Sequence, residues 1–312
     1  MPKTRTLPIP MRPLGRADVQ VSILGFGGWH LGVADTDAAA TRLLHTAIDA
    51  GVTFMDNAWD YNDGLSERRM GRALADRRDR VFLMTKVCTH GRDARTAMRQ
   101  LEDSLRRLRT DYLDLWQIHE VVFDDEPARA FARGGVVEAL DRARQQGKVR
   151  YVGFTGHKEP RLHLEMLAHG YAWDACQLPL NPFDASFRSF EREVLPELQR
   201  RGIAAIGMKS FCGDARAIAA GVASPRDMLA YALSLPVATV VSGMDSLRVL
   251  RQNLDVARGF RPLTARRLDA LRRRLAERAA DGRFELYKIS AGFEGDEARR
   301  QHGLPTRADL AV

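Results

Sequence analysis

Four side chains stand out for their chemistry, each placed at or just beyond the end of a short apolar run. Asp56 follows residues 52–55, Tyr61 lies in the loop after it, Lys86 follows residues 81–85, and His119 follows residues 112–118. Singly, each has an ordinary explanation: a helix N-cap, a solvated lysine, a structural histidine, a packing tyrosine. Together they are complementary. A phenol with an ordinary pKa of about 10 exchanges its proton poorly at neutral pH unless a nearby cation favours its ionised form. Lys86 offers that cation, and Asp56 the anion a buried ammonium requires. His119 offers a hydrogen bond beside the phenol and helps position a polar substrate atom. A phenol tuned in this way protonates an oxygen as negative charge develops on it, which is general acid catalysis. The sequence shows no activated nucleophile and no metal-ligand spacing, so the missing reactant, a hydride, is assigned to a cofactor.

Bringing four residues from separate runs to one rim requires a repeating architecture. Short apolar runs recur at residues 23–26, 52–55, 81–84, 112–118, 149–154, 174–176, 203–206 and 237–241, with helical segments between them. Residues 35–50 end at Gly51, residues 92–108 carry apolar side chains three and four apart, and residues 136–146 end at Gly147. Strand and helix in alternation imply parallel strands with right-handed crossovers, and eight such units fit an α/β fold of the (β/α)8 TIM-barrel type. A doubly wound open sheet competes, but the first strand lacks a G-x-G-x-x-G turn; Gly25-Phe-Gly27-Gly28 reads as glycines in a loop. The expected layout is one domain over 1–312: a floor hairpin at 11–21, the barrel at 22–260, and a C-terminal helix and irregular tail at 261–312.

Composition narrows the setting. With 45% hydrophobic and 28% charged residues the chain buries a sizeable core, which excludes disordered and fibrous classes. Forty-eight Lys and Arg against forty Asp and Glu give +8, which raises nucleic acid or an acidic ligand as a partner. The excess arginines fall on expected outer helices, as at Arg99, Arg106, Arg107 and Arg109, without the interleaved aromatics of a nucleic-acid platform, so nucleic acid is set aside. Three scattered cysteines, Cys88, Cys176 and Cys212, read as free thiols of a reducing compartment. No run has the length of a signal peptide or membrane span, and the expectation is a cytoplasmic protein with no membrane partner. The sequence does not speak to oligomeric state.

At this point the residues resemble a known family. Gly51-Val-Thr-Phe-Met-Asp56-Asn-Ala-Trp-Asp-Tyr61, with Lys86 and His119 following in order, is similar to the signature and the Asp, Tyr, Lys, His tetrad of the aldo-keto reductases. The resemblance implies reduction of a carbonyl by NADPH, with NADH not excluded, and Tyr61 protonating the oxygen. It also implies a set of cofactor contacts: Gly28, Trp29 and Asp56 near the first strands, then Thr155 and Gln177 at the carboxamide. Met208 stands where many members stack an aromatic ring, followed by Lys209 and Ser210. The stretch from Val241 to Asn253 resembles the family's last strand and helix, placing Gly243, Ser246, Arg248, Arg251, Gln252 and Asn253 at the adenosine phosphate. Gly156, Gly243 and Val249 depart from the common pattern, leaving Arg248 and Arg251 as local support for a 2′-phosphate. Trp29, Trp59 and His119 are the expected substrate contacts, with Asn62, Phe284, Tyr287 and Phe293 as further candidate walls, which favours an apolar or aromatic carbonyl. A dinucleotide-binding regulatory subunit with little turnover is the alternative, and the complete tetrad speaks against it.

Overall fold

The computed structural model describes residues 7–306 and 308–310. Strands β1 (Met11–Pro13) and β2 (Gln20–Ser22) form an antiparallel hairpin, pairing Met11 with Ser22. Eight further strands run parallel: β3 (Leu24–Gly27), β4 (Phe54–Asp56), β5 (Phe82–Val87), β6 (Leu113–Ile118), β7 (Val149–Thr155), β8 (Ala175–Pro179), β9 (Ala204–Met208) and β10 (Thr239–Gly243). They pair in chain order, and β10 closes the barrel on β3 with Val240 opposite Leu24. Closure leaves this sheet without an open edge.

Helices lie between the strands, and their ends obey local capping chemistry. Asp93 accepts a hydrogen bond from the Thr96 amide at 2.7 Å to start the helix Ala94–Leu108, and Arg109 ends it in the left-handed region. That helix buries Ala97, Leu101, Leu105 and Leu108, spaced four, four and three apart, so that one stripe faces the sheet. The helices Asp37–Asp49, Val136–Gln145 and Leu247–Ala257 repeat the pattern.

Inside the barrel the period of two along each strand sets up layers. Phe54, Phe82, Met84, Leu115, Ala175, Ala204, Ile206 and Val241 pack with Leu14 and Val21 of the hairpin into an apolar floor, with Phe54 stacked on Phe82 at 5.3 Å. Two residues further along the same strand faces come Asp56, Lys86, Gln117 and Gln177. The interior is thus apolar at the hairpin end and polar at the carboxyl ends of the strands.

The tail is more ordered than its composition suggests. After the helix Ala265–Ala279 come a short helix Leu286–Ile289, a 3-10 turn Ala291–Phe293 and a helix Asp296–Gln301. Tail side chains dock on the loops after β6, β8 and β9. Asn181 Nδ2 donates to Glu285 Oε1 and Tyr287 Oη, both at 3.0 Å, and the Gly295 amide donates to Glu120 Oε2 at 3.2 Å. Lys288, fully buried, donates to Asp184 Oδ1 at 2.7 Å and Glu285 Oε2 at 2.9 Å. Among the described residues no helix is long and apolar enough to cross a membrane.

Candidate active site

The four residues singled out for chemistry meet at the carboxyl ends of β4, β5 and β6. Lys86 is buried, and its Nζ donates to Asp56 Oδ1 at 2.6 Å, to the Asn57 carbonyl at 2.8 Å and to Tyr61 Oη at 3.3 Å. An ammonium has three protons, so all of its donors are committed. Tyr61 and His119 meet edge to face with ring centroids 5.6 Å apart. Behind them, the buried Arg92 donates to the carbonyls of His119 and Glu120, both at 2.8 Å, and to Glu126 Oε1 at 2.5 Å, which fixes the loop after β6.

The electrostatics differ in one respect from the sequence expectation. Burial pushes the Tyr61 phenol well above its usual range, and the charges of Asp56, Asp60 and Glu120 push it the same way. These influences outweigh the adjacent Lys86, whose charge is also matched by Asp56 at 2.6 Å. The phenol is therefore a firmly protonated donor.

Sequence reasoning missed several neighbours. Asp60 Oδ1 lies 3.2 Å from His119 Nδ1, too far off line for a hydrogen bond, and neither atom has another partner. Burial works against the Asp60 carboxylate, but the adjacent His119 outweighs it and holds the group below its usual range. Cys88 joins these two, the three ligand-capable atoms lying within 4.8 Å of one another. Burial keeps its thiol protonated. Cys88, Asp60 and His119 come from three separate loops, so no spacing in the sequence reveals them. Glu67, fully buried, accepts from Thr85 at 2.7 Å and braces β5 from outside.

The cofactor positions fall in two groups. Gln177 donates its Nε2 to Asp56 Oδ2 at 2.7 Å, which leaves Oε1 a buried acceptor without a partner. Thr155 and Met208 lie beside it, with Thr155 Oγ1 at 3.9 Å from Met208 Sδ, and Ser210 is buried. Gly28 lies over Asp56, whose carbonyl accepts its amide at 2.8 Å; a Cβ there would stand 2.4 Å from that oxygen. At the far side, Ser246 caps the helix Leu247–Ala257, and Asn253 Nδ2 donates to Ser242 Oγ at 3.0 Å, leaving its Oδ1 buried and unpartnered. Gly243 admits the His30 ring, whose Cε1 lies 2.2 Å from where a Cβ would be. Arg248, Arg251 and Gln252 line an open cleft of about 480 Å³ with Arg226. Among the described residues none of the three arginines pairs with a carboxylate.

The expected pocket walls sort differently. Trp59 turns to the outer helix, its ring 5.2 Å from Arg107 and its indole N–H on Asp103 at 3.4 Å. Phe284 packs on Phe183 at 5.2 Å, and Trp29 is exposed beside His30. Tyr287 and Phe293 instead flank Lys209, whose Nζ lies 5.1 Å and 5.6 Å from their ring centres.

Known proteins resemble this chain in sequence and in fold. The chain is 36% identical to methylglyoxal reductase YeaE of Escherichia coli over 138 residues, covering 44% of this chain and 46% of that protein. It is 34% identical to 6-dehydroglucose reductase of Novosphingobium aromaticivorans over 173 residues, covering 50% and 55%. The matches thus span about half the length of these curated relatives. Among solved structures, the holo form of aldo-keto reductase AKR11C1 from Bacillus halodurans superposes with a TM-score of 0.73 at 25% identity, covering 85% of this chain and 96% of that one. Residues 23–216 match the model of the Aldo/keto reductase family, and the chain belongs to that family.

Proposed function

We propose that the protein reduces an aldehyde or ketone to an alcohol using a nicotinamide dinucleotide, NADPH by preference, with Tyr61 as the general acid. The observation that carries this reading is the commitment of Lys86. Because one of its protons is donated to Tyr61 Oη at 3.3 Å, the phenol's own proton must point elsewhere, toward a substrate oxygen. As the proton leaves, the growing phenolate meets that ammonium, which stabilises it. Asp56 holds Lys86 in place through their ion pair, and His119, flanked by Asp60, orients the substrate oxygen.

The residues present fit a dinucleotide. Gln177 Oε1 and Asn253 Oδ1 are orphan acceptors suited to the exocyclic amines of a nicotinamide carboxamide and an adenine. The three unpaired arginines at the cleft beside Ser224 suit a 2′-phosphate, and the helix start at Ser246 adds free backbone amides. When bound, the dinucleotide supplies the hydride. Two curated relatives bear the names of reductases of small carbonyl compounds, which agrees with this assignment.

The test is NADPH consumption with 4-nitrobenzaldehyde. Tyr61→Phe is expected to lower kcat by about 100-fold to 10,000-fold, the usual worth of a general acid, while NADPH still quenches tryptophan fluorescence at the same concentration. Full activity in that variant removes Tyr61 from the role. Tight NADPH binding with no turnover by the unaltered protein points to a regulatory subunit instead.

A further inference from the structure

Among the described residues, four of the five lysines hold a carboxylate: Lys86 holds Asp56 at 2.6 Å, Lys148 holds Glu102, Lys158 holds Glu294, and Lys288 holds Asp184 at 2.7 Å. Lys209 holds none. It follows Met208 at the carboxyl end of β9, in the left-handed region at φ 51, which is a strained conformation for a residue with a side chain. Its ammonium rests between the rings of Tyr287 and Phe293, which meet edge to face at 6.3 Å.

A second polar group shares this wall without a partner. His157 is 3% exposed, its ring meets Tyr287 at 6.0 Å, and its Nε2 is buried with no hydrogen bond. Burial, Lys209, His119 and Lys158 all lower its pKa, so the imidazole is neutral and keeps one N–H to donate. His157 stands two places after the end of β7 and Lys209 directly after β9, so both lie at the carboxyl-end rim where the tetrad stands, and both meet Tyr287. A cation and a neutral donor thus share one aromatic wall at this rim, the first without a carboxylate and the second without a hydrogen-bond partner.

We propose that Lys209 and His157 form a subsite for a carboxylate on the carbonyl substrate, so that the preferred substrates are aldehydes or ketones bearing an acid group. This rests on the carbonyl-reductase reading of the tetrad. A singly charged carboxylate suits the place better than a phosphate, because Glu120, which accepts from the Gly295 amide two residues beyond Phe293, repels a second negative charge. Burial lowers the Lys209 pKa to about 8; Glu120 and Asp214 work to raise it and Lys86 to lower it, with Tyr287 and His157 uncharged beside it. Carboxylate recognition is accordingly strongest below pH 8 and fades as the lysine loses its proton.

The experiment compares 2-, 3- and 4-carboxybenzaldehyde with the nitrobenzaldehyde of the same substitution, nearly equal in shape but uncharged. In the unaltered protein the KM of at least one acid lies well below that of its nitro partner. In Lys209→Met the ratio of kcat/KM between acid and nitro compound falls by about 10-fold or more through KM, and Lys209→Arg restores most of it. Calorimetric binding of the same acid to the NADP⁺-loaded protein loses affinity in parallel, a readout that needs no turnover. A ratio unmoved by Lys209→Met overturns the subsite. So does a loss that appears instead in NADPH affinity, which would give Lys209 to the dinucleotide. Acid binding that depends on Lys209 in a protein without turnover keeps the subsite and removes the reductase reading.

Discussion

Lys86 carries two loads, and they can be separated. Its ammonium faces the phenol of Tyr61, and it also neutralises a carboxylate that is 2% exposed. Lys86→Met is expected to abolish turnover and to cost about 3–5 kcal/mol in denaturant unfolding, because Asp56 is left as an unpaired buried charge. Adding Asp56→Asn should return most of the stability and none of the activity. If the double variant is no more stable than the single one, the pair is not what holds this layer. The tetrad was readable in the sequence because each member sits at a strand end or in the loop just after it. Asp60, Cys88 and His157 were not. Their neighbours come from loops far apart in the chain, and a residue such as Asp60, one place before Tyr61, looks like any turn aspartate until His119 is set beside it.

The strands show the same limit at the next scale. All eight apolar runs became barrel strands, but the runs mostly stopped short of the true ends: β5 continues through Lys86, β7 to Thr155, β8 to Pro179 and β9 to Met208. A hydrophobic criterion ends where polar chemistry begins, and in this barrel that is where the site begins. The tail was read as irregular because its glycines and charges give no helical period, yet it is held by a buried ion network. Lys288→Met is expected to destabilise by about 3–5 kcal/mol, since Asp184 and Glu285 then face each other unpaired. Burial already raises both carboxyl pKa values above their unfolded values, so protonation favours the folded state. The deficit of the variant should thus be smallest near pH 4 and widen as pH rises, which a pH series of denaturation midpoints measures. At the helix Leu247–Ala257, Arg248→Ala with Arg251→Ala should weaken NADPH binding by about 10-fold and leave NADH binding nearly unchanged in fluorescence titration. Equal weakening of both dinucleotides would place the 2′-phosphate elsewhere.

Over the whole molecule many arginines engage surface carboxylates, as in Arg200 with Glu197 and Arg161 with Glu165, and the net +8 is the surplus of basic over acidic groups that remains. Such exposed pairs add little stability. Their excess should act at range instead, so that the association rate of NADPH falls several-fold between about 20 mM and about 500 mM salt while its dissociation rate holds steady. A dissociation rate that carries the whole salt effect would assign the attraction to direct contacts. The docked tail has a further meaning in time. Tetrad residues lie within the first 119 positions of the sequence, and the rings that flank Lys209 lie at 287 and 293. The layer that holds the tetrad and the rings beside Lys209 are therefore made at opposite ends of synthesis. On the proposed reading, the acid and its ammonium leave the ribosome long before the rings beside Lys209, so the part of the chain proposed to choose among substrates is made last.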